Sequence, residues 1–362
     1  MEHFIVCYDE EQYMAWPANG GIWSWGNEIL VSFNRGKFDP QSKSLHRIMD
    51  KGREAVFAKS IDGGVSWNKI NFNNDIYKYP LKIPPAEGFT FNNDGFVMRV
   101  SRPAVKIETD CYIVSNNRGI SWDGPFAFPD FQYPLTSRTS YIIEGERKMR
   151  IFMSYSLPPK TDQQAYTDRA FVAVTEDGCV TWQFVGDITH DEPRSVMPIA
   201  VRLDDGALVA AVRRRMKNDF NNDTNNINEA DDNWIEVSRS YNNGKTWVSP
   251  IRAATTYNPN NKSNNNGNPP ALCRLSDNTL VLSYGRREPG CSTIRYCISK
   301  DGGRTFINDT ILRDDPINED MGYPRLIARP DDKCVAVYYI ATADRPVQHI
   351  EATIFDPLAF HP

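Results

Sequence analysis

The sequence predicts an all-β chain folded as a six-bladed β-propeller, and three observations carry that expectation. One eight-residue motif recurs five times, at intervals that suit a four-stranded sheet with its loops. Between the copies, polar turns lead into alternating or wholly apolar runs, the pattern of inner hairpins in packed sheets. No stretch rich in Ala, Leu, Glu and Lys keeps a helical period, so almost no helix is expected. The composition points the same way: 12% aromatic residues, 22 Gly and 24 Pro among 362 residues are a strand-and-turn vocabulary. That length would suit two ordinary domains, but rings of sheets run this long as one unit, so residues 1–362 are read as a single domain.

The copies are SIDGGVSW (Ser60 to Trp67), SNNRGISW (Ser115 to Trp122), TEDGCVTW (Thr175 to Trp182), SYNNGKTW (Ser240 to Trp247) and SKDGGRTF (Ser299 to Phe306). Their closing aromatics stand 55, 60, 65 and 59 residues apart. In each, Ser or Thr ends a strand, Asp or Asn at the third position caps the turn with its side chain, and glycine accepts positive φ. The aromatic is then placed to pack between neighbouring sheets. Within the repeat, NEILVSF (27–33), DDGALVAAV (204–212), SDNTLVLSY (276–284) and PDDKCVAVYY (330–339) each read as a turn followed by an inner strand. Five motifs fit six blades if the last blade is closed by both termini, FIVCY (4–8) pairing beside HIEATIF (349–355). The long stretch 67–102 leaves room for a seventh blade. Two Asn-rich segments, 219–233 and 257–270, read as surface loops, either without a role or forming a wall of a pocket.

A net charge of -5 and a pI near 5.7 argue against nucleic acid, which needs a concentrated basic face. Seven cysteines without a C-x-x-C pair, four of them (Cys111, Cys273, Cys297 and Cys334) among apolar residues, read as buried free thiols. Five histidines without a ligand-like pair support neither zinc nor iron, and no phosphate loop or dinucleotide fingerprint is present, so no metal or cofactor is expected. The first residues lack a basic and then apolar leader and no segment is apolar over a bilayer's width, which predicts a soluble, cytoplasmic protein; a trimmed leader would look the same.

The recurring octapeptide is an Asp-box, or BNR repeat, and over nearly its whole length the chain resembles the sialidase (neuraminidase) superfamily. The motif is specific for the fold and says little about chemistry, because Asp-boxes lie on blade peripheries. The resemblance implies exo-acting hydrolysis of a terminal anionic sugar, with three arginines on its carboxylate, a tyrosine nucleophile helped by a glutamate, and an aspartic acid/base. EDMGYPRL (319–326) looks like the segment carrying the nucleophile, which singles out Tyr323, with Asp320 beside it as a base or sugar-hydroxyl acceptor and Arg325 as a ligand of the sugar's carboxylate. VRLDDGALVAAVRRR (201–215) aligns Arg213 with a triad arginine, Arg214 being the register alternative; Arg202 stands where the family has its glutamate. The first arginine of the family is missing from WPANGGIWSW (16–25), and Arg35 is the possible substitute. Arg286, Arg287 and Arg295 compete for the third place, with Arg287 preferred. Asp50 corresponds to the acid, with His46 as a neighbour able to tune it. Arg102, Arg138 and Arg194 open inner-strand patterns and are further candidates for the channel, and Trp23, clustered with Trp16 and Trp25, for stacking on a sugar face. Each of these residues has an ordinary alternative: a ring packed in the channel, a solvated loop charge or a surface ion pair. Two other functions share the features, a non-catalytic glycan-binding propeller and a lyase acting on uronate-containing polysaccharides.

Overall fold

In a computed structural model the described residues are 1–49, 52–101, 110–136, 138–158, 167–191, 193–216, 232–257, 267–288 and 290–359. They form six antiparallel sheets arranged as a propeller. Blade 1 pairs Glu28–Lys37 with Glu54–Ser60 and then Asn68–Ile70. Its innermost strand is split into Gln12–Ala15 and Gly21–Trp25, both pairing with Glu28–Lys37. Blade 2 comprises Val97–Ser101, Cys111–Ser115 and Asp123–Ala127; blade 3 comprises Tyr141–Ile143, Met149–Leu157, Thr167–Thr175 and Gln183–Asp187. Blade 4 is Arg194–Arg202, Leu208–Met216, Asp232–Ser240 and Val248–Thr255; blade 5 is Ala271–Arg274, Leu280–Arg286, Thr293–Ser299 and Ile307–Arg313. In blade 6, Gly322–Ala328, Cys334–Ile340 and His349–Phe355 are joined by the N-terminal strand Glu2–Cys7, which pairs Phe4 with Ala352 and Glu2 with Ile354. The described residues of the stretch 67–102 hold the last strand of blade 1, Asn68–Ile70, a short 3-10 turn, Asn74–Lys78, and the first strand of blade 2, Val97–Ser101, not a seventh blade.

The five motifs connect the last two strands of blades 1 to 5. In every copy the first hydroxyl accepts from the N–H of the fifth residue: Gly64, Gly119, Cys179, Gly244 and Gly303 lie 2.8–3.0 Å from Ser60, Ser115, Thr175, Ser240 and Ser299. The third side chain, Asp62, Asn117, Asp177, Asn242 or Asp301, accepts at 2.9 Å from the N–H of the seventh residue. The fifth residue then abuts the preceding blade. A Cβ on Gly303, at φ 80°, would lie 2.9 Å from Val209 of blade 4. Trp122 packs with Leu30 and Phe57, Trp247 with Phe152 and Val172, and Phe306 with Val209 and Leu280, so each aromatic fills the seam between two blades. Blade 6 has no motif because the chain termini stand where its third strand would connect to its fourth.

The cores lie between blades, where wholly buried strands such as Cys334–Ile340 face apolar residues on both sides. The seven cysteines are free, and Cys111, Cys179, Cys273, Cys297 and Cys334 are buried among them. Near the ring's centre the innermost strands contact one another, Gly322–Ala328 touching Ala271–Arg274 and Gly21–Trp25. Into that centre the four-residue helix Pro17–Gly20 projects, interrupting the first strand of blade 1 where Pro17 cannot donate to a ladder.

Candidate active site at the centre of the ring

Tyr323 sits where the inner strand of blade 6 begins, and its position is set by its neighbours. The register between Gly322–Ala328 and Cys334–Ile340 slips between Gly322 and Arg325, and within that bulge Tyr323 adopts φ 48°. Its N–H donates to Asn268 Oδ1 at 2.6 Å. Gly322 makes room for this amide, since a Cβ there would lie 2.1 Å from the same oxygen and its φ is 100°. A second bulge, between Val196 and Ile199 in blade 4, places Met197 at φ 57°, and Val196, Met197 and Ala18 of the short helix pack against the tyrosine ring. Trp16, at φ 61°, starts that helix. Three left-handed non-glycine residues thus converge on one point, the kind of strain that persists when surrounding contacts over-determine it.

Arginines surround the phenol. Arg213 donates Nη1–H to Tyr323 Oη at 3.1 Å, and the guanidiniums of Arg213 and Arg287 lie 5.9 and 5.6 Å from the ring centre. Both are buried, whereas Tyr323 is partly exposed. Burial by itself would push the phenol up, but the charges of Arg213, Arg287 and Arg138 hold it below the usual tyrosine range. Burial, joined by repulsion from Arg194 and Arg287, lowers Arg213 in turn. Arg213 Nη2 is buried without a hydrogen-bond partner among the described residues. Arg287 is anchored by donating to the Met321 carbonyl at 3.0 Å and to Tyr339 Oη at 2.8 Å. Arg325 reaches across the ring to the carbonyls of Ala18 and Thr139, both at 2.6 Å; burial and the nearby Arg138 lower it to about 10. Arg138 donates to Asn19 Oδ1 at 2.7 Å. The segment that lacks the expected arginine, WPANGG, therefore supplies a carbonyl and an amide that hold two other arginines in place.

Asp320 does not touch Tyr323. It is 1% exposed and accepts three hydrogen bonds: from Tyr13 at 2.6 Å, Tyr339 at 2.8 Å and His46 Nδ1 at 2.7 Å. Burial and then the neighbouring carboxylate keep Tyr13 and Tyr339 well above the usual tyrosine range, so both remain donors. Since Tyr339 also accepts from Arg287, one network runs from the tyrosine-arginine centre to the partly exposed imidazole of His46. Trp16 lies against that imidazole edge-on at 5.1 Å, with Arg53 over its ring at 5.3 Å.

The structure thus brings together Tyr323, Arg138, Arg213, Arg287 and Arg325, with His46 and Asp320 joined through Tyr339. Arg194 is ion-paired with Asp168, itself held by Thr136 and Ser156, at the start of blade 4's inner strand. Arg214 turns to the other side of its strand, toward Asp191 and over Trp234 at 5.6 Å. Arg286 pairs with Glu288, and Arg295 with Asp309 at 2.8 Å. Arg35 is paired with Glu54 at 2.6 Å beside Asn74, and Arg202 with Glu144, neither joined to the tyrosine by any contact. Trp23 donates to Tyr141 Oη at 2.9 Å and packs with Leu30, Phe57 and Val97 between blades 1 and 2. Asp50 and Arg102 lie outside the described residues. Sequence reasoning missed Asn268, hidden in an Asn-rich segment that reads as surface loop although Asn268 is fully buried. It also missed the tyrosines 13 and 339, which in a strand pattern look like ordinary core. Among the described residues no three His, Cys, Asp or Glu side chains gather as metal ligands would.

No curated protein matches the sequence. Solved structures match the fold over nearly the whole chain. A protein of unknown function from Dyadobacter fermentans is 19% identical with a TM-score of 0.70, covering 98% of this chain and 97% of that one. The α-L-arabinanase of Penicillium chrysogenum, complexed with arabinobiose, is 14% identical with a TM-score of 0.58, covering 98% of each chain. The endosialidase of phage phi92 is 11% identical with a TM-score of 0.56, covering 99% of this chain and 69% of that one. The model of the BNR repeat-like domain matches residues 150–337, more than half of the sequence and spanning blades 3 to 6, and with the five motifs and the six-bladed ring this shows that the chain belongs to the BNR repeat-like family.

Proposed function

We propose that the chain is a glycoside hydrolase that releases a terminal anionic sugar, with sialidase-like exo-acting chemistry centred on Tyr323. The observation that carries this reading is a partly exposed phenol held below its usual range by two buried guanidiniums, one with an N–H unpartnered among the described residues. Arg213 has no ion-pair partner among the described residues; burying such a cation is costly, and an anionic ligand offsets that cost by supplying both charge and acceptors. A substrate carboxylate bound there would repel a carboxylate nucleophile. A phenol avoids the repulsion, and the same arginines stabilise it as the phenolate. Arg213 and Arg287 hold the anionic group, Arg138 and Arg325 set the field around it, and Tyr323 attacks the anomeric carbon to form a glycosyl-enzyme that water resolves. The family resemblance would give the place of the proton donor to the segment that holds Asp50 and His46. The likeness in fold to an arabinanase and an endosialidase supports glycan hydrolysis as the class of reaction.

The test is release of aryl alcohol from a panel of aryl glycosides carrying sialic acid, a uronic acid, arabinofuranose and neutral hexoses, with wild type beside Tyr323→Phe. Turnover of an anionic glycoside that falls at least 10³-fold in Tyr323→Phe is the expected result, about 4 kcal/mol of transition-state stabilisation. Turnover of arabinofuranosides alone would keep the hydrolase and remove the anionic sugar. A second reading, a glycan-binding propeller, is favoured by Asp320, whose three donors leave it no role as a base for Tyr323; binding of a sialoside without turnover, unchanged in Tyr323→Phe, would establish it.

A further inference from the structure

The network around Asp320 has a shape that the roles assigned above do not use. Asp320 is buried and already accepts from two phenols, so the 2.7 Å contact with His46 is best satisfied by Nδ1–H of the imidazole as donor, with Tyr13 Oη also 3.3 Å from that nitrogen. Tyr13 and Tyr339 donate to the same carboxylate at 2.6 and 2.8 Å, so its position is fixed from three sides. Trp16, packed edge-on against the imidazole at 5.1 Å, limits the ring's rotation. Nε2 is left as a free acceptor: it has no hydrogen-bond partner among the described residues, on a side chain that is 37% exposed. Buried carboxylate, oriented tautomer and open Nε2 together are the arrangement by which a histidine takes up a proton and is stabilised as the imidazolium. The imidazole is linked to the arginine-tyrosine centre through Asp320 and Tyr339, since Tyr339 donates to Asp320 and accepts from Arg287, whose guanidinium lies 5.6 Å from the Tyr323 ring centre.

We propose that His46, oriented by Asp320, is the proton donor and acceptor of the reaction, in place of a carboxylic acid/base. This rests on the hydrolase reading of the same site. In the first step Tyr323 Oη bonds to the anomeric carbon, the glycosidic C–O bond breaks, and the leaving oxygen takes the proton from Nε2–H of the imidazolium. In the second, water attacks the anomeric carbon and passes a proton to Nε2 while the bond to Tyr323 breaks and releases the phenolate. Imidazolium and phenolate are both restored and no further reactant is needed. Asp320, 1% exposed and touching no substrate, is a positioning residue in this scheme.

The experiment uses aryl glycosides of whichever sugar wild type cleaves, graded from dinitrophenol to phenol as the leaving group. A poor leaving group needs the proton and a good one does not. His46→Ala is expected to slow the phenyl glycoside by roughly 10²–10⁴-fold and the dinitrophenyl glycoside by less than about tenfold, with added imidazole restoring the former. His46→Gln, which keeps a donor for Asp320, should share the defect while unfolding at the wild-type temperature, separating proton transfer from support of the fold. Nitrogen NMR of the free protein should show the Nδ1–H tautomer at His46, lost in Asp320→Asn. An equal loss on all leaving groups without rescue, or wild-type rates in His46→Ala, overturns the assignment while leaving Tyr323 in place. Silence of wild type across the whole sugar panel, in contrast, brings down the hydrolase reading and this role with it.

Discussion

Tyr323 pays for its place twice, in backbone strain and in exposure to a crowd of cations. A left-handed tyrosine costs about 1–3 kcal/mol, and the 2.6 Å bond to Asn268 together with packing on Ala18, Val196 and Met197 holds it there. The cations have a measurable consequence. Arg213, which donates to the phenol, stabilises the phenolate; its removal by Arg213→Gln is expected to raise the tyrosine's pKa toward or above the ordinary value of 10.0. Alkaline difference absorbance, wild type against Tyr323→Phe and Arg213→Gln against the double variant, reads that one group. An unchanged titration would show that the field comes from Arg287 and Arg138 instead. At this scale the sequence was only partly legible. The Gly-Tyr segment pointed to Tyr323, but a run of three arginines, 213–215, gives no register. The bulge between Val196 and Ile199 decides how that strand faces its neighbour, and Arg213 faces the phenol while Arg214 faces Asp191. Likewise Arg287 lies one residue beyond the strand Leu280–Arg286, where alternation no longer tells which way a side chain turns.

The repeated turn is where sequence and structure agree most closely, because every bond in it is local. The three aspartates, Asp62, Asp177 and Asp301, lie below the ordinary carboxylate value of 3.8, Asp62 and Asp301 at about 2. For Asp62 the chief cause is the hydroxyl and N–H of Ser66; for Asp177 and Asp301 burial pulls upward and the bonds from Thr181 and Thr305 outweigh it. A carboxylate depressed in the folded state contributes stability that is present above 3.8 and is lost as the pH falls through about 2. The protein should therefore lose stability across that window. The other two copies show the control: Asn117 and Asn242 make the same bond at 2.9 Å without titrating. Replacing the three aspartates by asparagine should leave the neutral-pH melting temperature within a few degrees and flatten the acid decline, measured by thermal unfolding between pH 2 and 5. Asp62→Ala, which removes the acceptor, should cost about 1 kcal/mol. If the triple variant declines in acid as steeply as wild type, other carboxylates govern the acid limit.

At the scale of the whole molecule, stability depends on closing the ring. The strand Glu2–Cys7 is the fourth strand of blade 6 and covers the edge of His349–Phe355, whose residues are buried throughout. His3 Nδ1 and Thr353 lie 2.9 Å apart across that seam. Removing residues 1–8 should expose a flat, largely apolar edge, at a loss of about 5 kcal/mol from its ladder bonds and buried surface. A lower melting temperature together with concentration-dependent association in gel filtration is the expected outcome; a monomer of wild-type stability would show that blade 6 holds with three strands.

What the sequence determined by itself was everything that repeats. The turn bonds stay within the eight residues of the motif, the inner strands announce themselves by alternation, and the spacing of the motifs sets the size of a blade. Five motifs and a strand at each end pointed to six blades, and it was the structure that settled the count, because the stretch 67–102 shows no motif and could have held a seventh. What only the tertiary structure decided was everything that does not repeat. His46 meets Asp320 from 274 residues away, and Arg325 meets the Ala18 carbonyl across 307. Such partners carry no periodic or local signal, because their bonds are set by how blades meet at the ring's centre. The expected neighbour of His46, Asp50, stood four residues along the chain, while the partner the fold supplies comes from the opposite end of it.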